Sequence, residues 1–480
     1  MRYAFVGLGH RAQMYVDALL GEWRDAGTIV ALCDTNRTRM NYYVERIGRQ
    51  VPCFSPTEFD KMLELADAVI VTTVDATHAR YVCAALDAGR DVIVEKPLTV
   101  DAEGCAAIAA AAERSSGKLI VTFNYRYSPR NSAVRRLLME GAIGEVTSVH
   151  FEWTLDTIHG ADYFRRWHRD RANSGGLLVH KSTHHFDLVN WWLGAAPELV
   201  FAQTDLRFYG AENAKKRGLE ERPERGQGAP GLGTDPFILD ISADPRLKRL
   251  YLDAEHEDGY IRDQDVFGEG VNIDDNMSVL VRYDNRTILT YSLHAHAPWE
   301  GYRVAFNGTA GRLELDVVER AWTSPHAAID PSATGKDRER DHQTQERRTV
   351  RPESGSSRDQ RGPSERDHQT QERRTVRPES GSSRDQRGPS ERDHQTQERL
   401  TLHRHWSRPE EVPIESGAGG HGGGDRLLLN DVFRGPDNDP LARQAGYRDG
   451  IRSVLTGVAA TVSATTGVPV HLVDDGTRVG

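Results

Sequence analysis

The sequence predicts an α/β protein that begins with a doubly wound parallel sheet and continues into a strand meander suited to a large sheet. Strand-like and helical segments alternate over the first third of the chain, which is typical of parallel βαβ units. Further along, Met277–Tyr283 and Arg286–His294 alternate apolar and polar residues around an Asp284-Asn285 turn, which predicts an antiparallel hairpin. A second predicted hairpin turns at Gly308–Gly311.

Length and composition narrow the class of protein. A chain of 480 residues suggests two or three domains. The net charge of −10 gives no reason to expect a nucleic-acid partner, and no apolar run reaches transmembrane length, so we expect no membrane partner. The N-terminus enters a strand directly, which predicts no signal peptide. Four scattered cysteines favour reduced thiols and a cytoplasmic location: Cys33, Cys53, Cys83 and Cys105.

A dinucleotide fingerprint follows the first strand. Gly7, Gly9 and Ala12 form a GxGxxA motif between an apolar strand and an amphipathic helix. The glycines let the backbone approach a pyrophosphate, and the alanine allows close packing of helix and strand. The next strand ends in Asp34, at the expected distance for a carboxylate that binds ribose hydroxyls. Residues expected beside the dinucleotide are Gly7, Gly9, His10, Arg11, Ala12, Asp34, Thr73, His78, Glu95, Lys96 and Asn124.

Two of these positions carry open alternatives. A carboxylate at Asp34 repels a 2′-phosphate and favours NAD over NADP, but Arg37 nearby is able to bind a phosphate or to stack on adenine. From Asp34 we therefore expect NAD as the cofactor, with NADP as the less favoured alternative. His78 begins the helix after a strand, where a polar residue often serves only the local structure.

The segment Asp91–Thr99 supplies a candidate catalytic lysine. Val92–Val94 reads as a buried strand that stops at Glu95-Lys96-Pro97. In an open parallel sheet, ligands bind outside the carboxyl ends of the strands. Pro97 restricts Lys96 to extended geometry and so fixes the direction of its side chain. The alternative is a surface lysine after an edge strand.

Together these motifs resemble the Gfo/Idh/MocA family of nicotinamide oxidoreductases, which includes glucose-fructose oxidoreductase and inositol dehydrogenase. They are the GxGxxA motif, Asp34, the helix Thr77–Gly89, Glu95-Lys96-Pro97-Leu98 and Phe123-Asn124-Tyr125-Arg126. The resemblance implies an NAD(P)-binding Rossmann domain over 1–124, and a substrate and oligomerisation α/β domain over 125–330 and 400–480. It implies that the second domain has a large, open, mainly antiparallel sheet. It also implies a sugar, glycoside or polyol substrate and a homodimer or homotetramer formed through the C-terminal sheet.

A histidine-rich helix supplies the candidate proton-transfer residues. His180, His184 and Asp187 share one face of a helix that follows Gly175-Gly176. The resembled family has a D-x-x-x-H pattern on this helix, and His184 matches its proton-transfer histidine. His180 stands at the Asp position, which leaves the second role open. An imidazole titrates near neutral pH and can accept a hydroxyl proton.

Two other interpretations of these histidines stay open. The spacing of His180 and His184 also suits a zinc site, but Lys181 lies between them and disfavours a second cation, so we expect no metal. In the other interpretation, the histidines are polar residues of a buried helix and take no part in catalysis.

Several residues nearby suit sugar binding. Aromatic and basic side chains are interleaved from Tyr163 to His168, a mixture that stacks on a sugar face or, alternatively, forms an oligomer contact. His421 lies in a glycine-dense loop that is either close to the substrate or a linker. The candidate substrate-binding residues are Arg126, Tyr163, Arg165, Trp167, Lys181 and His421.

Three further segments have predicted roles. Leu206–Lys248 is a polar excursion expected either to cover the active site or to reach a neighbouring subunit. Glu339–Ser364 is repeated without change as Glu365–Ser390, and a third copy begins at Glu391. These repeats lack an apolar stripe, so we expect residues 335–399 to be a disordered insertion within a hairpin, with a flexible interaction arm as the alternative. Tyr447–Thr465 is predicted as a helix that packs on the Rossmann domain.

The leading hypothesis is an NAD-dependent dehydrogenase acting on a secondary hydroxyl of a sugar, glycoside or cyclitol. Lys96 would bind the reacting oxygen, and His184, assisted by His180, would move the proton. This requires that Lys96 and His184 meet over the same nicotinamide ring. One alternative is an enzyme that cleaves glycosides through transient oxidation by a tightly bound NAD, followed by elimination. The other is a non-catalytic NAD-binding regulator.

Overall fold

The computed structural model describes residues 1–219, 221–323, 397–415, 423–436 and 438–480. Its strands are β1 Arg2–Val6, β2 Thr28–Cys33, β3 Cys53–Phe54, β4 Ala68–Val71, β5 Asp91–Val94, β6 Leu119–Val121, β7 Val146–Asp156, β8 Pro197–Asp205, β9 Asn276–Tyr283, β10 Ile288–Ala297, β11 Glu300–Gly308, β12 Gly311–Arg320, β13 Gln397–Arg404, β14 Glu410–Val412, β15 Val470–Val473 and β16 Arg478–Val479. Its helices are α1 Ala12–Leu20, α2 Arg37–Ile47, α3 Phe59–Leu63, α4 His78–Asp87, α5 Ala102–Arg114, α6 Pro129–Met139, α7 His159–Arg165, α8 Arg171–Ser174, α9 Leu177–His180, α10 Ser182–Leu193, α11 Ala211–Lys216, α12 Pro245–Leu250, α13 Glu255–Asp258, α14 Gly424–Arg434 and α15 Tyr447–Thr466. Within those ranges, no helix combines the length and apolarity needed to span a bilayer.

The N-terminal sheet has six parallel strands in the order β3-β2-β1-β4-β5-β6. The strand order reverses direction between β1 and β4, which makes the carboxyl ends of these strands the natural ligand crevice of a doubly wound fold. Every residue of β4 is buried, as expected for a central parallel strand covered by helices on both faces. The predicted Rossmann-type sheet is confirmed.

The C-terminal sheet has ten strands in the order β14-β13-β12-β11-β7-β10-β9-β8-β15-β16. Among the described strands of this sheet, only β7 and β10 pair in parallel, so the predicted mainly antiparallel sheet is confirmed. Along β9, Met277, Val279 and Val281 are buried while Ser278 and Leu280 face outward. This alternation places helices on one face of the sheet and leaves the other face open.

The tandem repeats lie between β12 and β13 in the sequence. Val318 of β12 pairs with Gln397 of β13. The expected boundary of the insertion at residue 399 falls inside β13, because Gln397–Arg399 pair with β12. These three residues belong to the last, partial copy of the repeat. The preceding residues, 324–396, lie outside the described part of the chain.

The last long helix, α15, joins the two domains. A Cβ at Gly450 would lie 2.9 Å from the Leu98 side chain, and a Cβ at Gly457 would lie 2.2 Å from the carbonyl oxygen of Leu178. Leu98 follows β5 of the Rossmann domain, whereas Leu178 belongs to α9 of the second domain. Both glycines therefore allow α15 to pack closely on both domains, and its expected contact with the Rossmann domain is present.

The excursion after β8 is longer than expected and returns to the Rossmann domain. Residues 206–275 separate β8 from β9 and include α11, α12 and α13. Leu247, Leu250 and Tyr251 share an apolar cluster with Met40 and Tyr43 of α2. The excursion is thus attached to α2, the helix that follows β2.

Candidate active site

The glycine-rich loop between β1 and α1 has the form that a dinucleotide requires. Gly7 has a φ of +84°, and a Cβ there would lie 2.5 Å from the backbone nitrogen of Thr73. A Cβ at Gly9 would point towards the Tyr251 hydroxyl, 3.2 Å away. A side chain at Gly7 would collide with the backbone that follows β4, and one at Gly9 would fill the space between the loop and Tyr251. The loop fits a bound pyrophosphate in this respect.

Asp34 lies where the sequence predicts, at the carboxyl end of β2. Its carboxylate accepts hydrogen bonds from the backbone N–H of Leu8 at 2.5 Å and of Asn36 at 2.8 Å. The Arg39 guanidinium lies 3.8 Å away. Burial raises the pKa of Asp34, whereas Arg39 and these hydrogen bonds oppose the shift. The carboxylate is thus held in a fixed orientation at the expected ribose site.

Three of the predicted cofactor contacts are engaged within the protein. Glu95 accepts hydrogen bonds from Arg11 Nε and the Tyr15 hydroxyl, both at 2.6 Å, and so connects β5 to the glycine-rich loop. His78 is buried with Nδ1 2.8 Å from the carbonyl oxygen of Pro97 and Nε2 3.2 Å from that of Thr73. Glu95, Arg11 and His78 therefore support the loops that form the crevice.

Lys96 contacts His180, whose ring also pairs with a carboxylate that sequence analysis did not identify. Lys96 Nζ lies 3.4 Å from His180 Nε2 and donates to the His180 carbonyl oxygen at 3.2 Å. On the other side of the ring, His180 Nδ1 lies 2.5 Å from Asp75 Oδ2. In its ionised form, Asp75 accepts a hydrogen bond from the Nδ1–H group of His180, which leaves Nε2 of the neutral ring as the acceptor facing Lys96.

A break in the histidine helix makes this contact possible. The single helix expected through this segment is divided into α9 and α10 at Lys181. The His184 backbone N–H donates to the Lys181 carbonyl at 3.2 Å rather than to that of His180. The His180 carbonyl is therefore available to accept a hydrogen bond from Lys96.

Burial governs the charges in this cluster. Desolvation raises the pKa of Asp75 well above its usual range, despite the opposing effect of Lys96. Desolvation, together with the charge of Lys96, lowers the pKa of His180 well below its usual range, which keeps the ring neutral at pH 7. Desolvation also lowers the pKa of Lys96, while the charge of Asp75 works against that shift.

His184 lies one helical turn further along, beside a second lysine. Its ring stacks on Tyr125 with 4.3 Å between ring centroids. The Tyr125 hydroxyl accepts a hydrogen bond from Lys181 Nζ at 3.1 Å, and that ammonium lies 4.9 Å from the centroid of the Trp153 ring. Lys181 is only 3% exposed, and burial lowers its pKa to about 7. The predicted substrate-binding lysine is therefore a buried amine that titrates near neutrality.

Three aromatic rings pack against the His180 ring. The His168 ring centroid lies 4.2 Å from that of His180, with Tyr163 at 5.4 Å and Trp167 at 5.7 Å. Tyr163 and Trp167 were predicted near the substrate, and they lie beside the predicted catalytic histidine. The Arg165 guanidinium turns away from it and donates to the Phe237 carbonyl at 2.9 Å.

Two other predicted site residues have partners inside the protein. Arg126 donates to Asp187 from Nε at 2.7 Å and from Nη2 at 2.5 Å, and its Nη2 also lies 3.1 Å from Asp449. Its guanidinium therefore connects α10 to α15 rather than facing the crevice. Asn124 donates its amide to Asp425 at 2.7 Å. His421 lies outside the described residues.

In the described ranges, no three His, Cys, Asp or Glu side chains are grouped as a metal site. His180 in particular directs one ring nitrogen to Asp75 and the other to Lys96. The zinc arrangement considered for His180 and His184 would need one of these nitrogens. The local hydrogen bonds leave His180 no nitrogen for it.

Sequence analysis missed Asp75, Tyr125 as a site residue, and Trp153. Asp75 and Tyr125 had a usable signal, because each follows the carboxyl end of a parallel strand, β4 and β6, as Lys96 follows β5. Trp153 had none, since it lies in the long strand β7 of the second sheet and reaches Lys181 only through the packing of that sheet on the histidine-bearing segment.

Comparison with known proteins supports the family. The model described as "Oxidoreductase family, NAD-binding Rossmann fold" matches residues 1–123. The model of the family's C-terminal alpha/beta domain matches 135–472. The Bacillus subtilis protein YteT, which carries an oxidoreductase name, is 33% identical over 98% of this chain and 97% of its own length. Inositol 2-dehydrogenase of Rhizobium meliloti is 29% identical over 42% of this chain and 58% of its own length.

Solved structures show the same fold. Aldose-aldose oxidoreductase from Caulobacter crescentus, complexed with glycerol, has a TM-score of 0.56 at 16% identity and covers 98% of this chain and 99% of its own. WlbA dehydrogenase from Bordetella pertussis, in complex with NADH and UDP-GlcNAcA, also has a TM-score of 0.56 at 16% identity, with 98% of each chain covered. The chain therefore belongs to the Gfo/Idh/MocA oxidoreductase family, with an NAD(P)-binding Rossmann domain and a C-terminal α/β domain.

Proposed function

We propose that this chain is an NAD-dependent dehydrogenase that transfers a hydride between nicotinamide and a secondary hydroxyl or ketone of a sugar, glycoside or cyclitol. One observation carries the proposal: Lys96 and the Asp75–His180 pair meet at the carboxyl ends of β4 and β5, beside the glycine-rich loop. Ligands of doubly wound sheets bind at this edge. The dinucleotide, when bound, supplies the hydride acceptor or donor.

Each residue of the cluster has a proposed task. Lys96 donates a hydrogen bond to the reacting oxygen and stabilises the negative charge that develops on it. Asp75 holds the His180 ring in the tautomer whose Nε2 accepts a proton. His184, the match to the family's proton-transfer histidine, exchanges the hydroxyl proton, with His180 in the supporting role. The meeting of Lys96 and His184 over one nicotinamide ring is part of this proposal.

The substrate class is proposed from the side chains around the cluster. Tyr163 and Trp167 provide flat apolar surfaces that suit the face of a sugar ring. Lys181 and Lys96 provide donors for hydroxyl oxygens. Relatives of this chain are named inositol 2-dehydrogenase and D-apiose dehydrogenase, which supports a polyol or sugar substrate.

A substrate panel tests the proposal. The purified protein would be incubated with NAD or NADP and a series of sugars, cyclitols and glycosides, and the absorbance of the reduced cofactor would be followed. We expect reduction of NAD with at least one secondary alcohol of this set. Binding of NAD without turnover of any compound would instead favour the alternative of a non-catalytic NAD-binding regulator.

A second function is favoured by the excursion, which closes over the glycine-rich loop. The Tyr251 hydroxyl accepts the His10 backbone N–H at 2.8 Å, and Arg262 lies over the Tyr251 ring at 4.4 Å. A covered crevice of this kind suits a dinucleotide that stays bound through many turnovers. The corresponding reaction oxidises a glycoside transiently, eliminates the substituent and returns the hydride. A cleaved glycoside with no net NADH would identify it.

Assembly and location remain proposals. The open face of the C-terminal sheet carries exposed apolar side chains, with Leu280 47% and Ile288 51% exposed on neighbouring strands. We propose that this face forms the interface of a homodimer or homotetramer, as the family resemblance implies. Light scattering coupled to gel filtration tests this, since Leu280→Glu should then lower the mass to that of a smaller species. A cytoplasmic location stays a prediction from the cysteines.

A further inference from the structure

The excursion does more than cover the glycine-rich loop, because α13 is placed at the start of α2. Asn36, which precedes α2, donates its side-chain amide to the Ala254 carbonyl at 2.9 Å. Arg39 Nη1 pairs with Asp258 at 2.6 Å and also lies near Asp34. These contacts hold α13 against the helix that directly follows the ribose-binding carboxylate.

The carboxylate of Glu257, in α13, caps the N-terminus of α2. Its carboxylate accepts hydrogen bonds from the backbone N–H of Arg37, from the backbone N–H of Thr38 at 2.9 Å and from the Thr38 hydroxyl at 2.5 Å. Burial acts to raise the pKa of Glu257, but these hydrogen bonds hold it below its usual range. The group is therefore an anion at pH 7.

An anion at this position bears on the choice of dinucleotide. The N-terminus of a helix attracts phosphate because its first N–H groups have no partner within the helix. Asp34 directly follows β2 and lies three residues before the start of α2, so a 2′-phosphate on a ribose held by Asp34 would face these N–H groups. Glu257 occupies these donors and brings a second negative charge beside Asp34.

We propose that Glu257 is a specificity-determining residue that excludes NADP by occupying, with an internal carboxylate, the position of the 2′-phosphate. The proposal rests on the proposed binding of a dinucleotide at Asp34. It assigns part of the selection between NAD and NADP to a segment outside the Rossmann domain, since Glu257 lies 220 residues from Arg37 in sequence. Rejection by an added repulsive group is a common way to separate similar ligands.

Binding measurements test this without any substrate. The dissociation constants of NADH and NADPH would be measured by fluorescence titration of the full chain, of Glu257→Gln and of Glu257→Ala. We expect the wild type to bind NADH at least about tenfold more tightly than NADPH. Glu257→Gln should tighten NADPH binding by about tenfold with NADH changed by less than about threefold, because it removes the charge but keeps the shape. Glu257→Ala should tighten NADPH binding further, since it frees both N–H groups.

The control variant is Asp253→Asn, which removes one negative charge from the same excursion at an exposed ion pair with Lys248. It should leave the ratio of the two dissociation constants unchanged. An equal gain for NADH and NADPH in the Glu257 variants would mean that Glu257 only holds the excursion closed, and it would overturn the proposal. The proposal would also be overturned if the Glu257 variants left the ratio of the NADH and NADPH dissociation constants unchanged. A wild-type protein that binds neither dinucleotide would refute the proposed function itself, which is a distinct result.

Discussion

Replacing Asp75 by Asn tests the arrangement of the candidate active site most directly. The change keeps the size of the side chain but removes the negative charge that Asp75, when ionised, places 2.5 Å from His180 Nδ1. A hydrogen bond to a charged group contributes about 1.5–3 kcal/mol. If this contribution acts only on the transition state, the rate falls by roughly ten- to a hundredfold, since each 1.36 kcal/mol corresponds to a factor of ten.

The same substitution has a predicted effect on the pH profile. The Asp75 carboxylate raises the pKa of Lys96 against the larger lowering effect of burial. Without it, the pKa of Lys96 falls further, and the ammonium loses its proton at a lower pH. If the ammonium is the active form, the alkaline limb of the kcat profile therefore moves to lower pH in Asp75→Asn.

The assay is the reduction of NAD with the best substrate of the panel, measured as kcat and KM across pH. Asp60→Asn is the matched control, because it makes the same chemical change at an exposed position of the same domain. Nitrogen NMR of labelled histidine provides a readout independent of substrate, and we expect the Nδ1–H tautomer of His180 to lose population. A folded Asp75→Asn protein with kcat within threefold of wild type and an unmoved alkaline limb would refute the positioning role.

Three other predictions concern the lysine, the glycine-rich loop and the insertion. Lys96→Met should lower kcat by roughly 10²–10³ while NADH binding, followed by fluorescence, changes by less than about threefold. Gly7→Ala should lower the free energy of unfolding by about 1–3 kcal/mol more than Gly48→Ala in urea titrations, because both glycines have positive φ but only Gly7 lies against the Thr73 backbone; equal losses would contradict the close contact. Deleting one repeat, Glu339–Ser364, should change the unfolding free energy by less than about 0.6 kcal/mol, since the deletion removes less than half of the β12–β13 connection. A large drop in Tm would show that the repeat contributes to the fold.

Two of the predicted site residues have partners within the protein. Arg126 and His78 were expected beside ligands, and both are buried with protein partners. The sequence shows that a polar residue follows a strand, but it does not show which group will form hydrogen bonds with its side chain. Asp187, the partner of Arg126, lies 61 residues away on α10. A buried guanidinium must find a carboxylate, and the carboxylate that it finds depends on how distant elements of the chain pack.

The sequence by itself determined the features that depend on neighbouring residues. The alternation of strands and helices, the GxGxxA turn and the position of Lys96 after β5 all follow from local patterns, because a parallel strand and its crossover helix fix the loop that joins them. Tertiary structure alone decided which side chains meet in the crevice. Asp75 faces His180 across 105 residues, and Glu257 reaches α2 across about 220, because packing of the second domain and its excursion on the first brings them together.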